Sequence, residues 1–167
     1  MQQQAKGFLT QMVRPVLRQL GVESPRFESL LLGAAWTTGF SPWHSSATRL
    51  GIYSLDAGWH RQLWDDWLAF RPELASRVRG FAGQHSFLKD PHHELVNNLT
   101  YATAVAVCAL LREHEQNPDQ QSPELEAGSL TATWASATDL SPEAWGEYFL
   151  GYQRAIALAS THNQVAA

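Results

Sequence analysis

The side chains able to do acid–base or metal chemistry are few in this chain, and they are loosely grouped. General acid catalysis, glycoside cleavage included, needs a carboxyl group on a cleft wall with its pKa lifted. Asp56 follows the turn-forming run Gly51-Ile52-Tyr53-Ser54-Leu55 and could face such a cleft. Its place before Ala57-Gly58-Trp59 also suits a helix N-cap, and the capping role accounts for it better. Asp65-Asp66, set between Trp64 and Trp67, reads as a solvated stripe. His92-His93-Glu94 invites a metal reading, but adjacent imidazoles diverge on a helix and cannot chelate one ion as an i, i+4 pair does. Both histidines are expected in a first helical turn facing water. His44, His60, His85, His114 and His162 show no ligand spacing. There is no Gly-x-Ser-x-Gly elbow and no phosphate-cradling glycine loop. No metal and no cofactor is therefore expected, and Cys108, in an apolar run, is expected to be an inert core thiol.

The elements that must position these groups are helical. Ser24-Pro25, Asp90-Pro91, Ser122-Pro123 and Ser141-Pro142 each put a capping side chain before a proline at a first helical position. Asp56 opens another helix, on which Trp59, Leu63, Trp67 and Phe70 recur at helical spacing, and Pro72 begins the next. A first helix is expected from about Gln4 to Leu20, stopped by Gly21 and kinked or broken at Pro15. Phe40 to Arg49, Gly83 to Lys89 and Glu115 to Gln121 read as loops, and Gly51 to Leu55 as a short extended piece. The apolar stretch from Leu99 to Leu111 is too short to span a bilayer and reads as a buried core helix.

At 167 residues, 44% hydrophobic and 17% charged, the composition is that of one soluble globular domain. A net charge of -4 argues against nucleic-acid binding, which concentrates basic residues on one face. Met1-Gln2-Gln3-Gln4 lacks the basic and apolar regions of a secretion signal.

Two runs carry a resemblance. Leu30-Leu31-Leu32-Gly33-Ala34-Ala35-Trp36-Thr37-Thr38-Gly39-Phe40, followed by Leu50-Gly51-Ile52-Tyr53-Ser54-Leu55-Asp56, resembles the catalytic region of a phage-encoded family of lysozyme-like proteins related to lytic transglycosylases. In that family the helix ends Ala-Ala-Gln-Glu-Ser-Gly and the later turn reads Gly-Ile/Leu-Tyr/Phe-Gln-Met. Its glutamate protonates the glycosidic oxygen. Trp64 to Val78 is similar to the family's aromatic segment running into Arg-Pro-Glu-Leu, and Asn98 to Ala106 to its central Asn-Leu-x-Tyr-Ala-Thr-Ala helix. Leu130-Thr131-Ala132-Thr133-Trp134 stands where the family has Ala-Ala-Tyr-Trp.

The departures fall together at the chemical site. Thr37 stands in the place of the acid, Ser54 in that of the second motif's glutamine, and Ser136-Ala137-Thr138 in that of a Tyr-Asn pair. A threonine hydroxyl delivers no proton near neutral pH. Glu28, nine positions earlier, is on the order of 13 Å away along a helix and cannot substitute. Trp36 replaces a polar cleft residue and Trp43 lies on the other side of the lost acid. With Tyr53 they are the candidate binding residues, filling the old cleft or gripping a partner. Trp59, Trp64, Trp67, Trp134 and Trp145 are expected in the core.

The resemblance implies a mainly α, compact lysozyme-like helical domain with at most a small β-hairpin remnant beside the former cleft. Its expected layout is an N-terminal helical extension over 1–22, the domain over 23–160 and a flexible tail over 161–167. The expected role is non-enzymatic: a pseudoenzyme in a phage tail or baseplate, present in several copies, bound to other virion proteins, with no nucleic-acid or membrane partner. A retained hold on peptidoglycan would fit the same frame. The alternative is a working lytic transglycosylase or muramidase whose acid has moved to Asp56.

Overall fold

A computed structural model describes residues 2–43 and 49–116. The protein is mainly α-helical with one two-stranded hairpin, as the sequence predicts. The proposed helix starts at Ser122-Pro123 and Ser141-Pro142, and the segments beyond them, lie outside the described residues, as does most of the loop proposed over Glu115 to Gln121.

The N-terminal helix bends its rules around Pro15 without breaking. α1 (Gln2–Phe8) passes through a five-residue π turn (Leu9–Val13) into α2 (Arg14–Leu20), with Phe8, Val13 and Arg14 all in helical backbone conformation. Pro15 has no N–H to give the carbonyl four residues back. The widened turn just before it absorbs that mismatch, and the Arg14 N–H reaches back five residues to Leu9. Gly21 ends α2 in the left-handed region (φ 73°), and the Arg77 guanidinium reaches over to the Leu20 carbonyl (3.1 Å). The segment expected as an extension buries Ala5, Leu9, Val13, Val16, Leu17 and Leu20 in the same core cluster as the rest.

Ser24 caps α3 (Pro25–Thr37), accepting the Phe27 N–H, with Pro25 at the first helical position. Arg14 grips Glu28 through two contacts of 3.0 and 3.1 Å, joining α2 to α3. β1 (Arg49–Leu50) pairs antiparallel with β2 (Leu55–Asp56), so Gly51 to Leu55 is not one extended piece: Gly51–Ser54 is the turn between two short strands. Asp56 then caps α4 (Ala57–Asp66) by accepting the Trp59 N–H (2.8 Å). A single 3₁₀ turn (Leu68–Phe70) leads to α5 (Pro72–Phe81).

Two local expectations need correction. Gly83 to Lys89 is not a loop but carries α6 (Gln84–Lys89), stabilised by burial of the Phe87 ring against Trp64 and Tyr101. Asp90-Pro91 does not start a helix. The Asp90 carboxylate accepts the His92 N–H, which makes a turn, and α7 (Glu94–Asn97) begins only afterwards. Asn98, which the sequence reading passed over, caps the last helix, α8 (Leu99–Gln116), by accepting the Tyr101 N–H (3.1 Å). The last two residues of that helix occupy the start of the expected third loop.

α8 is the centre of the domain. Every residue from Tyr101 to Leu110 is buried, and α2, α3, α5, α7 and the π turn all pack on it. Trp59 and Trp67 are buried and Trp64 half-buried, as core roles require.

The hairpin turn meets α7 at Gly51. A Cβ there would lie 2.0 Å from the Leu95 carbonyl oxygen, and its φ of 72° is left-handed as well. Gly51→Ala is therefore expected to destabilise the protein by about 3 kcal/mol or more in urea denaturation. Gly7→Ala, where a Cβ meets nothing within 4 Å, should stabilise it by about 0.5–1 kcal/mol.

Candidate functional site

The two runs that carry the resemblance do meet in space. α3 ends at Thr37, and Gly39 (φ 63°) and Phe40 (φ 58°) turn the chain in the left-handed region. A bulky residue rarely sits there. Phe40 is held by burial, with its ring against Phe8 (5.6 Å) and Trp36 (5.9 Å). The Thr38 hydroxyl donates to the Ile52 carbonyl (2.7 Å), tying the helix end to the hairpin turn.

On that turn, Tyr53 is a core residue with 1% exposure. Its ring packs near Phe8 (6.3 Å), and its hydroxyl donates to Thr103 (3.0 Å), which itself donates to the Leu99 carbonyl. Burial raises the Tyr53 phenol above its ordinary pKa, outweighing the Thr103 hydrogen bond. Ser54 is buried in the left-handed region with its N–H on the Gly51 carbonyl. Of the three aromatics named as binding residues, Tyr53 offers no face to a ligand and Trp36 is half-buried on Phe40, whereas Trp43 is 72% exposed.

α3 and the hairpin carry two carboxylates, Glu28 and Asp56. The first is clamped by Arg14 and the second caps α4. Neither is free of a structural duty. Asp65 and Asp66 are exposed, as a solvated stripe should be. Ser136 and Thr138 lie outside the described residues, as do Trp134, Trp145 and His44.

A second constellation escaped the sequence reading. His60 on α4 is 1% exposed. Its Nε2 lies 2.7 Å from the Tyr101 hydroxyl, which also accepts the Trp64 indole N–H (2.9 Å). Its Nδ1 lies 2.9 Å from Nδ1 of His92. His92 was expected to face water in a helical turn; it is instead half-buried with its ring 5.1 Å from that of His60. The exposed neighbour His93 does face water. Glu94 is buried, accepting the Gly83 N–H and an Asn98 amide hydrogen. The available signal was His60 on the same helical face as Leu63, Trp64 and Trp67, an imidazole in an apolar stripe that needs buried partners.

Donor and acceptor roles follow from the chemistry of each group. The Trp64 indole only donates, so the Tyr101 oxygen accepts from it. The Tyr101 proton then goes to Nε2 of His60, which leaves Nδ1–H of His60 to donate to Nδ1 of His92. Each nitrogen and oxygen that makes these three contacts then has a matched donor or acceptor, with His60 neutral. Burial, reinforced by the second imidazole, pulls the His60 pKa from 6.5 down to about 3, while the Asp90 carboxylate pulls weakly the other way. Burial also lifts the Tyr101 phenol and the Cys108 thiol above their ordinary values, so both stay protonated. Among the described residues no group of three or more His, Cys, Asp or Glu side chains is arranged to hold a metal ion, and no helix is long and apolar enough to cross a membrane.

No protein-family model, curated protein or solved structure matches this chain.

His60 is neutral in the fold and charged in the unfolded chain below pH 6.5, so the unfolded chain binds the extra proton. The stability tied to His60 is complete above pH 6.5 and is lost as pH falls toward 3. A loss of about 2 kcal/mol is expected by pH 5. Urea midpoints at pH 7 and pH 5 test this: His60→Gln should be less stable at pH 7 yet show a smaller drop between the two.

Proposed function

We propose that this protein is a non-enzymatic part of a phage particle, a tail or baseplate component built on a lysozyme-like helical domain whose glycan-cleaving site has been lost. The family and its virion setting rest on the resemblance of Leu30 to Phe40, Leu50 to Asp56, Trp64 to Val78 and Asn98 to Ala106. One observation carries the non-enzymatic reading. The two segments that would form the site meet, yet they meet through a Thr38 hydroxyl and a packed Phe8–Phe40–Tyr53 cluster, and both of their carboxylates have structural partners.

Asp56 is the only relocated acid that the resemblance leaves open. To act, it would have to release the Trp59 N–H and uncap α4, at a cost of about 1 kcal/mol. A structural role asks instead for an exposed anchor on a rigid frame. Trp43 has that character, projecting beside the end of α3. The partners are other virion proteins, in an assembly that holds several copies of the chain.

The purified protein is expected to give no clearing on a zymogram of bacterial cell wall, and Thr37→Glu should not create any. Clearing that disappears in Asp56→Asn would overturn the non-enzymatic reading. Mass spectrometry of purified particles should find the chain at a fixed copy number, and its absence from them would overturn the virion assignment. Trp43→Ala should change folding stability by less than about 0.5 kcal/mol while reducing incorporation into particles. Pull-down with peptidoglycan, equally strong in Trp43→Ala, would point to a glycan-binding domain instead.

A further inference from the structure

Residues 84–93, which comprise α6 and the turn after it, form a strap across α4 and α8. The base of the strap is held without histidine. The Glu94 carboxylate accepts the Gly83 N–H (3.0 Å) and an Asn98 amide hydrogen (2.8 Å), and the same amide group donates to the Phe81 carbonyl (2.8 Å). The body is held by the Phe87 ring, which sits edge-on to Trp64 (5.4 Å) and Tyr101 (5.8 Å) under the Arg79 guanidinium (4.1 Å). The turn that follows α6 is tied to α4 by the contact of 2.9 Å between His92 and His60.

We propose that the His60–His92 contact is an acid-released latch, which holds this strap closed at neutral pH and frees it in mild acid to uncover the Trp64–Tyr101 surface.

The geometry gives the latch its sensitivity. One proton lies between the two Nδ1 atoms, and the network has no place for a second. Protonating both nitrogens sets two N–H groups against each other at 2.9 Å. Moving the shared proton to His92 makes His60 a donor at Nε2, where the Tyr101 hydroxyl proton already points. The first route breaks the His60–His92 contact and the second leaves the buried Tyr101 O–H without an acceptor, whereas the open form accepts the proton in water.

The charged and titratable groups around the pair do not cancel this. Asp90 on the strap favours the charge, but burial of His60 and the neighbouring imidazole outweigh it. Arg79 on α5 and Glu94 on α7 act on Tyr101 with opposite signs, and Tyr101 and Cys108 on α8 stay neutral. Because Glu94 and Asn98 hold Gly83 and the start of α7 together independently, release of His92 opens the segment between them while its ends remain in place.

Hydrogen exchange of the whole chain, corrected for intrinsic rates, tests the latch. The Phe87 and Asp90 amides, bonded to the Gly83 and Ser86 carbonyls, should exchange faster than those of α8 at every pH. Their protection should fall about tenfold for each pH unit below about 6.5, and this slope should flatten in His60→Gln. The wild-type imidazole nitrogen spectrum gives a second reading that needs no variant. It should show Nδ1–H on His60 bonded to His92 at pH 7, lost over the same pH range in which the strap amides open. Strap amides that exchange only together with α8, a flat profile, or a slope undiminished in His60→Gln would each overturn the latch. So would a His60–His92 bond that persists at pH 5.

Discussion

A polar group on a helix buried on every side must find its partner inside the protein, on its own backbone or on another element, and that constraint organises this domain. α8 is such a helix, ten consecutive buried residues long, many of them alanine, so that neighbouring elements approach closely. That ten-residue stretch carries two hydroxyls, Tyr101 and Thr103, which are two residues apart and so point in different directions. Thr103 is met by Tyr53 from the hairpin, and Tyr101 by His60 and Trp64 from α4. The two constellations of the protein are thus opposite sides of one helix answering one requirement.

The hairpin side shows how far that requirement reaches. Tyr53 enters the core with its hydroxyl donating to Thr103, and the turn that carries it lies so tightly against α7 that position 51 has no room for a side chain. The turn in turn presents the Ile52 carbonyl to Thr38, fixing the end of α3. Phe40 accepts a left-handed backbone there because its ring, like Phe8 on the N-terminal helix, is needed to close the cluster. Residues 2–22 therefore belong to the packing of the very region from which their sequence position seems to separate them.

What the sequence made legible was whatever depends on local chemistry. Ser24-Pro25, Asp56 and Gly21 mark their boundaries because a cap or a left-handed stop is decided by the residue itself and its nearest neighbours. The central helix was legible because no polar periodicity interrupts Leu99 to Leu111. Gly83 to Lys89 was misread because its helix depends on Phe87 finding Trp64 and Tyr101, residues distant in sequence. The pairing of His60 with His92 is not legible for the same reason: thirty-two positions separate them, and the adjacent His93 draws attention to His92 as part of a different group. At the α3 end, the absence of an acid could be read directly, whereas the burial of Tyr53 and the exposure of Trp43 could not.

A cleft that binds a polymer must keep polar groups facing water, unsatisfied until substrate arrives, and such groups detract from stability while they wait. The α3–hairpin junction has gone the other way. The Thr38 and Tyr53 hydroxyls and the Glu28 and Asp56 carboxylates are engaged inside the protein, and aromatic rings occupy the space between its elements. On the far side of α8, by contrast, the buried His60 is held neutral with its Nδ1 against that of His92. The α3–hairpin junction is thus closed by contacts within the protein, whereas the opposite side of α8 carries two imidazoles in direct contact.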